Sequence, residues 1–151
     1  MEKAIVTNRR AKRDYEILES IEAGIELKGT EVKSLRARKA SLNESFARVD
    51  KGEVILYNFH ISPYEFGNIH NTDPLRPKRL LLHKKQVIGL YTKTQVKGHT
   101  LVPLRVYFKK GLAKVELAVG RGKKSYDKRE SIKQRQAKRE IDRALRSRRG
   151  K

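Results

Sequence analysis

The sequence predicts a small antiparallel β-barrel with added helices, mainly β in class, followed by a basic tail. Three observations lead to this fold class. Within residues 14–120, apolar side chains recur mostly at alternate positions, which is the period of strands that bury one face. Two glycine-containing segments, 50–52 and 109–111, separate pairs of such strands and indicate hairpins. Residues 120–151 carry 14 Lys and Arg against 4 Asp and Glu, so half of the net charge of +20 lies in this last segment.

The composition divides the chain into three segments. A length of 151 residues leaves room for one domain and some chain for tails. Residues 1–13 form a basic N-terminal arm, residues 14–120 hold nearly all the apolar side chains and form the barrel, and residues 121–151 form a basic C-terminal tail.

The first predicted strand covers residues 15–27, where apolar and polar side chains largely alternate. Gly24 within this strand indicates a bulge or a bend, because a glycine there has no side chain to pack. A short helix follows, with Thr30 as its N-cap and with Val32 and Leu35 on one face.

Two hairpins are predicted, each with a glycine that can take the left-handed conformation in its turn. They comprise residues 46–49 with 54–61 and residues 101–108 with 112–119. In the last strand apolar and polar residues alternate, so one face meets a core and the other meets solvent. Pro103 has no N–H for a neighbouring strand, which places it at an edge or a bend.

Between the hairpins we predict a loop over residues 62–79 and a helix over residues 83–96, with Gly98 at its C-cap. Five or six strands with one or two helices suggest a closed or partly closed barrel. A barrel of the oligonucleotide-binding (OB) type fits best, and a split α+β sheet is the alternative.

The residue types exclude most catalytic and metal chemistry. The chain has no cysteine, which removes disulfides, thiolate zinc sites and cysteine nucleophiles. Its four histidines lack metal-binding spacing, and neither a nucleophile elbow nor a phosphate-binding loop is present. We therefore expect no catalytic residues, no metal and no cofactor, and a protein that is not an enzyme. A small RNA-processing hydrolase would need clustered carboxylates or histidines.

The positive charge requires a polyanionic partner, for which RNA is the first candidate and an anionic membrane the second. No amphipathic helix with a large apolar face and no apolar run of about 18 residues occurs, so we expect no membrane contact and a cytoplasmic protein. Tyr64, Phe66 and Tyr126 lie among basic residues, where they can stack on bases. Tyr15 belongs to the alternating apolar set and favours core packing instead.

The tail carries weak helical signals. Asp127 with Glu130 three residues later is typical of a capping box at a helix start. The apolar stripe that follows is thin, so the helix is marginal in water. It consists of Ala137, Ile141, Ala144 and Leu145. We predict a tail that is disordered when free and helical when bound along RNA.

Several long segments together resemble the SsrA-binding protein (small protein B) family, the protein partners of tmRNA in bacterial trans-translation. They stand in family order over essentially the whole chain. They are TNRRA at residues 7–11, EAGI at 22–25, GTEVKSLR at 29–36, DP at 73–74, RLLL at 79–82 and GKKSYDKR at 122–129.

The resemblance implies an OB-type barrel that binds the tRNA-like domain of tmRNA and delivers it to the A site of stalled ribosomes for ribosome rescue and peptide tagging. The tail is then expected in the decoding centre of the 16S rRNA and in the empty mRNA channel. Alanyl-tRNA synthetase and elongation factor Tu are expected as indirect partners through tmRNA, and the protein as a monomer. The alternatives are a structural ribosomal protein and a general RNA chaperone.

Carried over by position, Asn8, Glu22 and Leu81 are the expected tmRNA contacts. Without the resemblance, Glu22 would be interpreted as a surface acid and Leu81 as a core residue. The full set of expected RNA-binding residues is Asn8, Arg9, Arg10, Arg13, Glu22, Lys33, Arg36, Leu81, Lys123 and Lys124. The residues expected to serve the tail at the decoding centre are Tyr126, where relatives often have histidine, with Asp127, Lys128, Arg129, Ile132 and Lys133.

Overall fold

A computed structural model of the chain describes residues 3–64 and 73–123, together with Arg139 and Ile141, both with helical backbone conformation. The strands are β1 (Ala4–Thr7), β2 (Tyr15–Ile25), β3 (Ala40–Ser41), β4 (Phe46–Asp50), β5 (Glu53–Tyr57), β6 (His60–Ile61), β7 (Lys78–Leu81), β8 (His99–Lys109) and β9 (Leu112–Gly122). The helices are α1 (Ala11–Asp14), α2 (Gly29–Arg36) and α3 (Lys84–Thr94).

Six strands close into an antiparallel barrel. They follow one another in the order β8-β4-β5-β7-β2-β9, and β9 pairs with β8 to complete the ring. Strand β1 extends the sheet beside β8, and β3 pairs with β6 in a separate two-stranded sheet. Closure removes the unpaired edges that an open sheet exposes. The predicted fold class, a mainly antiparallel OB-like barrel with added helices, is confirmed.

The main core fills the barrel, with side chains such as Leu56, Leu101 and Val115 fully buried. A second, smaller cluster lies on the outer face of the sheet, where α1 covers it. It consists of Ala11, Val102 and Ala118, with Tyr15, Ile17 and Leu104 packed against them. The predicted packing of Tyr15 is therefore realised in this outer cluster rather than inside the barrel.

A bulge at Leu18 explains why one strand serves both clusters. The pairing of β2 with β9 is regular except between Ile17 and Glu19, where one residue is extra. The extra residue turns the side chains that precede it to the outer face, while Ile21 remains on the core face. For Gly24 the sequence predicted a bulge or a bend, and the bulge lies at Leu18 instead, since Gly24 pairs regularly on both sides.

Both predicted hairpins form, with turns of two residues. Lys51 and Gly52 have φ of 50° and 78°, and Lys110 and Gly111 have φ of 52° and 79°. Positive φ at both central residues is the type I′ geometry, whose twist matches that of the flanking strands. Pro103 lies at the bulge in β8 where its register with β9 shifts, in agreement with the predicted bend.

Several details differ from the sequence prediction. Helix α3 ends at Thr94 with Gln95 as its C-cap, and not at Gly98. Thr30 is not the N-cap of α2, because the helix begins at Gly29 and Lys28 is the cap residue. The Glu31 carboxylate accepts a hydrogen bond of 2.8 Å from the Lys28 N–H, and so provides a partner for a backbone N–H that the helix itself leaves unpaired at its start. In the segment predicted as a basic arm, β1 pairs with β8, so this part of the chain is packed against the barrel.

Candidate nucleic-acid interface

Two of the expected contact residues, Glu22 and Leu81, lie on the outer face of neighbouring strands. Leu81 pairs directly with Gly24 across β7 and β2, and its side chain is 48% exposed. A Cβ added at Gly24 would lie 3.2 Å from the Cβ of Leu81, which is closer than ordinary packing allows. Glycine at this position therefore lets Leu81 approach β2 closely, two residues along the strand from Glu22.

The Glu22 carboxylate is held by groups from β8. It accepts a hydrogen bond from the hydroxyl of Tyr107 and lies 3.5 Å from the Nζ of Lys109. The Tyr107 hydrogen bond, with smaller effects from Lys109 and Lys114, lowers the pKa of Glu22. Burial and the contact with Glu22 raise the pKa of Tyr107 to about 12. At neutral pH Glu22 is therefore ionised and Tyr107 is a donor.

An arginine completes this outer patch. The guanidinium of Arg105 lies 4.5 Å from the centre of the Tyr107 ring, and its Nε donates a hydrogen bond of 2.6 Å to Glu116. Tyr107 is thus covered by Arg105 on one side and bonded to Glu22 at its hydroxyl. Sequence analysis did not single out Arg105 or Tyr107, and Tyr107 is itself only 4% exposed under this cover.

We define the Glu22 patch as Glu22, Leu81, Tyr107, Arg105, Lys109 and Lys114. It combines a fixed carboxylate and an exposed leucine with three cations, Arg105, Lys109 and Lys114. The cations can contact phosphates. The carboxylate can accept hydrogen bonds from base amino groups or 2′-hydroxyls, which distinguishes the patch from a purely electrostatic surface.

Asn8 occupies a different kind of position. It is only 7% exposed, its Nδ2 donates to the Pro103 carbonyl at 2.9 Å, and its Oδ1 accepts from the Ala11 N–H at 3.2 Å. The side chain therefore joins β1, β8 and the start of α1. Asn8 is therefore buried and hydrogen-bonded within the protein, and its RNA contact stays a prediction.

The basic residues of the N-terminal segment lie around α1, where the tail begins. Arg10 pairs with Glu44 at 2.5 Å and Arg13 with Asp14 at 3.1 Å, while Arg9 is exposed. Lys123 donates its backbone N–H to the Asp14 carbonyl at 2.9 Å. Its Nζ lies 3.3 Å from the Lys12 carbonyl. The basic N-terminal cluster and the start of the tail are therefore adjacent.

Lys33 and Arg36 lie on the exposed side of α2, next to aromatic rings. The Nζ of Lys33 is 5.2 Å from the centre of the Tyr64 ring, and the guanidinium of Arg36 is 4.3 Å from that of Phe108. Phe108 packs towards the main core, whereas Tyr107 faces outwards. The two cations of α2 are thus outside the Glu22 patch.

A buried charge cluster holds α2 against the segment that leads to Leu81. Arg76 donates two hydrogen bonds to Glu31, of 2.6 and 3.1 Å, and fully buried Lys78 donates to the carbonyls of Phe59 and Arg76 at 2.8 Å each. Burial lowers the pKa of Lys78 to about 8. Burial alone would raise the pKa of Glu31, but hydrogen bonds from Arg76 and from the Lys28 backbone outweigh it and lower that pKa.

The remaining expected site residues lie outside the described residues. They are Lys124, Tyr126, Asp127, Lys128, Arg129, Ile132 and Lys133. Of the predicted apolar stripe of the tail, Ile141 is helical and 61% exposed. Within residues 3–64 and 73–123, no group of three or more histidine and acidic side chains is placed to hold a metal ion. No helix in the part of the chain that the structure describes is long and apolar enough to cross a membrane.

Comparisons with known proteins agree on one family. The family model described as SmpB protein matches residues 5–147 of the chain. The SsrA-binding protein of Pelotomaculum thermopropionicum is 60% identical over 146 residues, covering 97% of this chain and 95% of that protein. The SsrA-binding protein of Caldicellulosiruptor bescii is 61% identical over 139 residues, covering 92% and 88%.

A solved structure described as "tmRNA-SmpB: a journey to the center of the bacterial ribosome" is similar in fold. It superposes with a TM-score of 0.69 at 54% sequence identity, covering 83% of this chain and 92% of the other.

Proposed function

Because the chain belongs to the SmpB protein family, we propose that it binds tmRNA and acts with the ribosome in trans-translation. In this function the barrel holds the tRNA-like domain of tmRNA and delivers it to the A site of a stalled ribosome. The tail enters the decoding centre and the empty mRNA channel. The names of the relatives and the tmRNA-SmpB structure support this proposal.

The observation that carries the proposal is the arrangement of the Glu22 patch. Glu22 and Leu81 come from different strands, and the pairing of Leu81 with Gly24 places Leu81 two residues along β2 from Glu22, on the same face of the sheet. A fixed carboxylate beside an exposed leucine has no use in an electrostatic RNA binder, because neither group attracts phosphate. Such a pair is suited to specific contacts with base edges and ribose.

The tail has a separate role in this proposal. Its first residues leave the barrel beside α1, where Lys123 contacts Lys12 and Asp14. The barrel can therefore keep one RNA while the tail reaches another. The net charge of +10 over residues 120–151 favours an RNA-lined channel as the site of the tail.

The protein in this role is a non-catalytic adaptor of the cytoplasm that acts as a monomer and needs no metal or cofactor. Elongation factor Tu and alanyl-tRNA synthetase meet it through tmRNA. The alternatives are a structural ribosomal protein and a general RNA chaperone. Each of these would bind RNAs other than tmRNA alone, and so would co-purify with a different set of RNAs.

Sequencing the RNA that co-purifies with the protein from its native cell tests the proposal. We expect one small RNA, tmRNA, to be strongly enriched in the purified sample relative to its share of the total RNA in the cell. Stoichiometric recovery with idle ribosomes would favour the structural ribosomal protein, and an unselective mixture of RNAs would favour the chaperone.

A further inference from the structure

Strand β2 has a free edge over most of its length. On one side it pairs with β9 from Tyr15 to Gly24. On the other side it pairs with β7 only at Gly24 and Ile25. Within the described parts of the chain, residues 16–23 therefore have no strand beside them at this second edge. The backbone N–H and C=O groups that point to this edge can pair with another extended chain.

An apolar groove lies between this part of β2 and helix α3. Its volume is about 230 Å³. Ile21 from the strand and Leu90 from the helix line it, and both side chains also pack in the main core of the barrel. The groove therefore offers an apolar floor, directly beside the free edge, to a side chain that enters from solvent.

Gly89 keeps the helix side of this groove open. It lies in the interior of α3, where glycine is less favourable than alanine because its backbone loses more freedom on folding. Among the described residues, nothing lies within 4 Å of a Cβ added at Gly89, and its φ is not positive. Neither internal packing nor backbone conformation therefore calls for glycine here. Its effect is to let a bound chain approach the helix closely.

The rim of the groove is mainly basic. Lys85 and Lys93 line it on the helix side, and Glu19 lines it on the strand side. Lys93 pairs with Glu19, and both side chains are substantially exposed, so this ion pair can open at little cost. Lys85 is exposed and has no acidic partner within the part of the chain that the structure describes. The rim therefore favours a carboxylate from a partner.

The groove is separate from the Glu22 patch. Ile21 packs towards the main core, whereas the next residue, Glu22, bonds to Tyr107 on the outer face of the sheet. Successive side chains of a strand point to opposite faces. The groove and the patch therefore use opposite faces of β2.

The chemistry of the groove fits a peptide better than RNA. Phosphates accept hydrogen bonds but donate none, so a sugar–phosphate chain cannot pair regularly with the C=O groups of a strand edge. An apolar floor also gives phosphate nothing to contact. An extended peptide offers alternating N–H and C=O groups, together with side chains that can fill the groove.

We propose that the free edge of β2 and this groove form a docking site for an extended acidic segment of a partner protein. The segment adds a strand beside residues 16–23, lays an apolar side chain over Ile21 and Leu90, and directs a carboxylate to Lys85. Main-chain hydrogen bonds provide affinity, and the groove selects the side chain. The site does not depend on RNA binding and so goes beyond the proposed function.

A phage-displayed library of short random peptides, selected on the full chain stripped of RNA, is the first probe. We expect enriched peptides with acidic residues around an apolar residue. A labelled synthetic copy of the most enriched peptide is then titrated by fluorescence anisotropy. Gly89→Leu fills the groove, and Lys85→Glu reverses the charge at its rim. Lys84→Glu is the matched control, because it makes the same charge change on α3 at a residue that does not line the groove.

We expect Gly89→Leu and Lys85→Glu each to lower the peptide affinity about tenfold, because each removes a central contact. Lys84→Glu is expected to change it by no more than about twofold, since an exposed charge outside the groove is screened. Thermal melting followed by circular dichroism checks that all variants fold. Binding to Gly89→Leu and Lys85→Glu that equals binding to the wild type overturns the site.

The backbone contacts have their own test. Peptide binding is expected to slow amide hydrogen exchange within residues 16–23. Two further peptides carry N-methyl groups on one or the other set of alternate residues. Only one set of N–H groups faces β2, so one of these peptides should lose binding and the other should keep it.

Equal binding of both methylated peptides overturns the added strand, and so does a library that yields no enriched peptide. The tRNA-like domain of tmRNA is the RNA probe in the same exchange measurement. Slower exchange within residues 16–23 on adding this RNA, without any enriched peptide, would assign the edge to RNA and reject the proposal.

Discussion

The hydroxyl of Tyr107 on β8 donates a hydrogen bond to the carboxylate of Glu22 on β2, across 85 residues of sequence. The two strands are not neighbours in the barrel, because β9 lies between them. The bond therefore spans the outer face of three strands. It holds an acidic side chain in one place on a protein of net charge +20.

Removing this hydroxyl tests whether the position of Glu22 matters. In Tyr107→Phe the ring remains beneath Arg105 while Glu22 loses its donor, so we expect the affinity for the tRNA-like domain to fall about fivefold, the equivalent of one hydrogen bond. Filter binding measures the affinity. An unchanged affinity would show that the orientation of Glu22 does not contribute to binding.

The close approach at Gly24 gives a second prediction. Gly24→Ala forces Leu81 away from β2, because the added Cβ would lie 3.2 Å from that of Leu81. We expect tmRNA affinity to fall as much as in Leu81→Ala, with a loss of about 1–2 kcal/mol in the free energy of unfolding. Gly29→Ala is the control, since nothing lies within 4 Å of its added Cβ. Equal effects of both alanines would contradict this role of Gly24.

The lowered pKa of Lys78 predicts how the free energy of unfolding depends on pH. Its pKa is about 8 in the folded protein, below the ordinary value of a lysine, so its burial as a cation opposes folding at pH 7. Above pH 8 the folded state loses this proton while the unfolded state keeps it. From pH 8 to about 10 we therefore expect wild-type unfolding free energy to rise relative to that of Lys78→Met.

Urea denaturation at each pH measures the two free energies. The difference between wild type and variant isolates Lys78 from the other groups that titrate in this range. A constant difference between pH 7 and 10 would mean that Lys78 remains charged throughout.

The separation of barrel and tail predicts the effect of truncation. Gly122 is the last residue of β9 and Lys123 still bonds to α1, so a chain that ends after Lys123 keeps these contacts. We expect it to bind the tRNA-like domain with nearly full affinity and to fail to tag peptides on stalled ribosomes. Gel-shift and in vitro tagging assays measure the two activities. Loss of tmRNA binding would place the tail in the primary RNA site.

Local patterns predicted the strands and turns well, because each depends on residues close in sequence. The hairpin turns at Gly52 and Gly111 follow from glycine's tolerance of positive φ, and the alternation in β9 follows from the pleat of a strand. The family resemblance likewise depends on linear segments, and the family comparison confirms it.

Buried polar residues were beyond this kind of prediction. Asn8 lies in a basic segment that suggests exposure, yet its amide bonds to Pro103, 95 residues away. Nothing in the sequence distinguishes Lys78 from a surface lysine, but in the structure two carbonyls and Glu31 surround it. Their burial depends on partners that the fold brings together from distant parts of the chain.

The sequence by itself determined the mainly β class, the two hairpins, the family and the basic tail. Each of these depends on composition or on contacts within one segment. The tertiary structure alone decided which face each side chain of β2 takes, since the bulge at Leu18 moves Tyr15 and Ile17 to the outer cluster. It also decided that Glu22 meets Tyr107 and that Leu81 lies opposite Gly24. A one-residue change of register reverses the faces of a strand, and only the pairing with its neighbours sets that register.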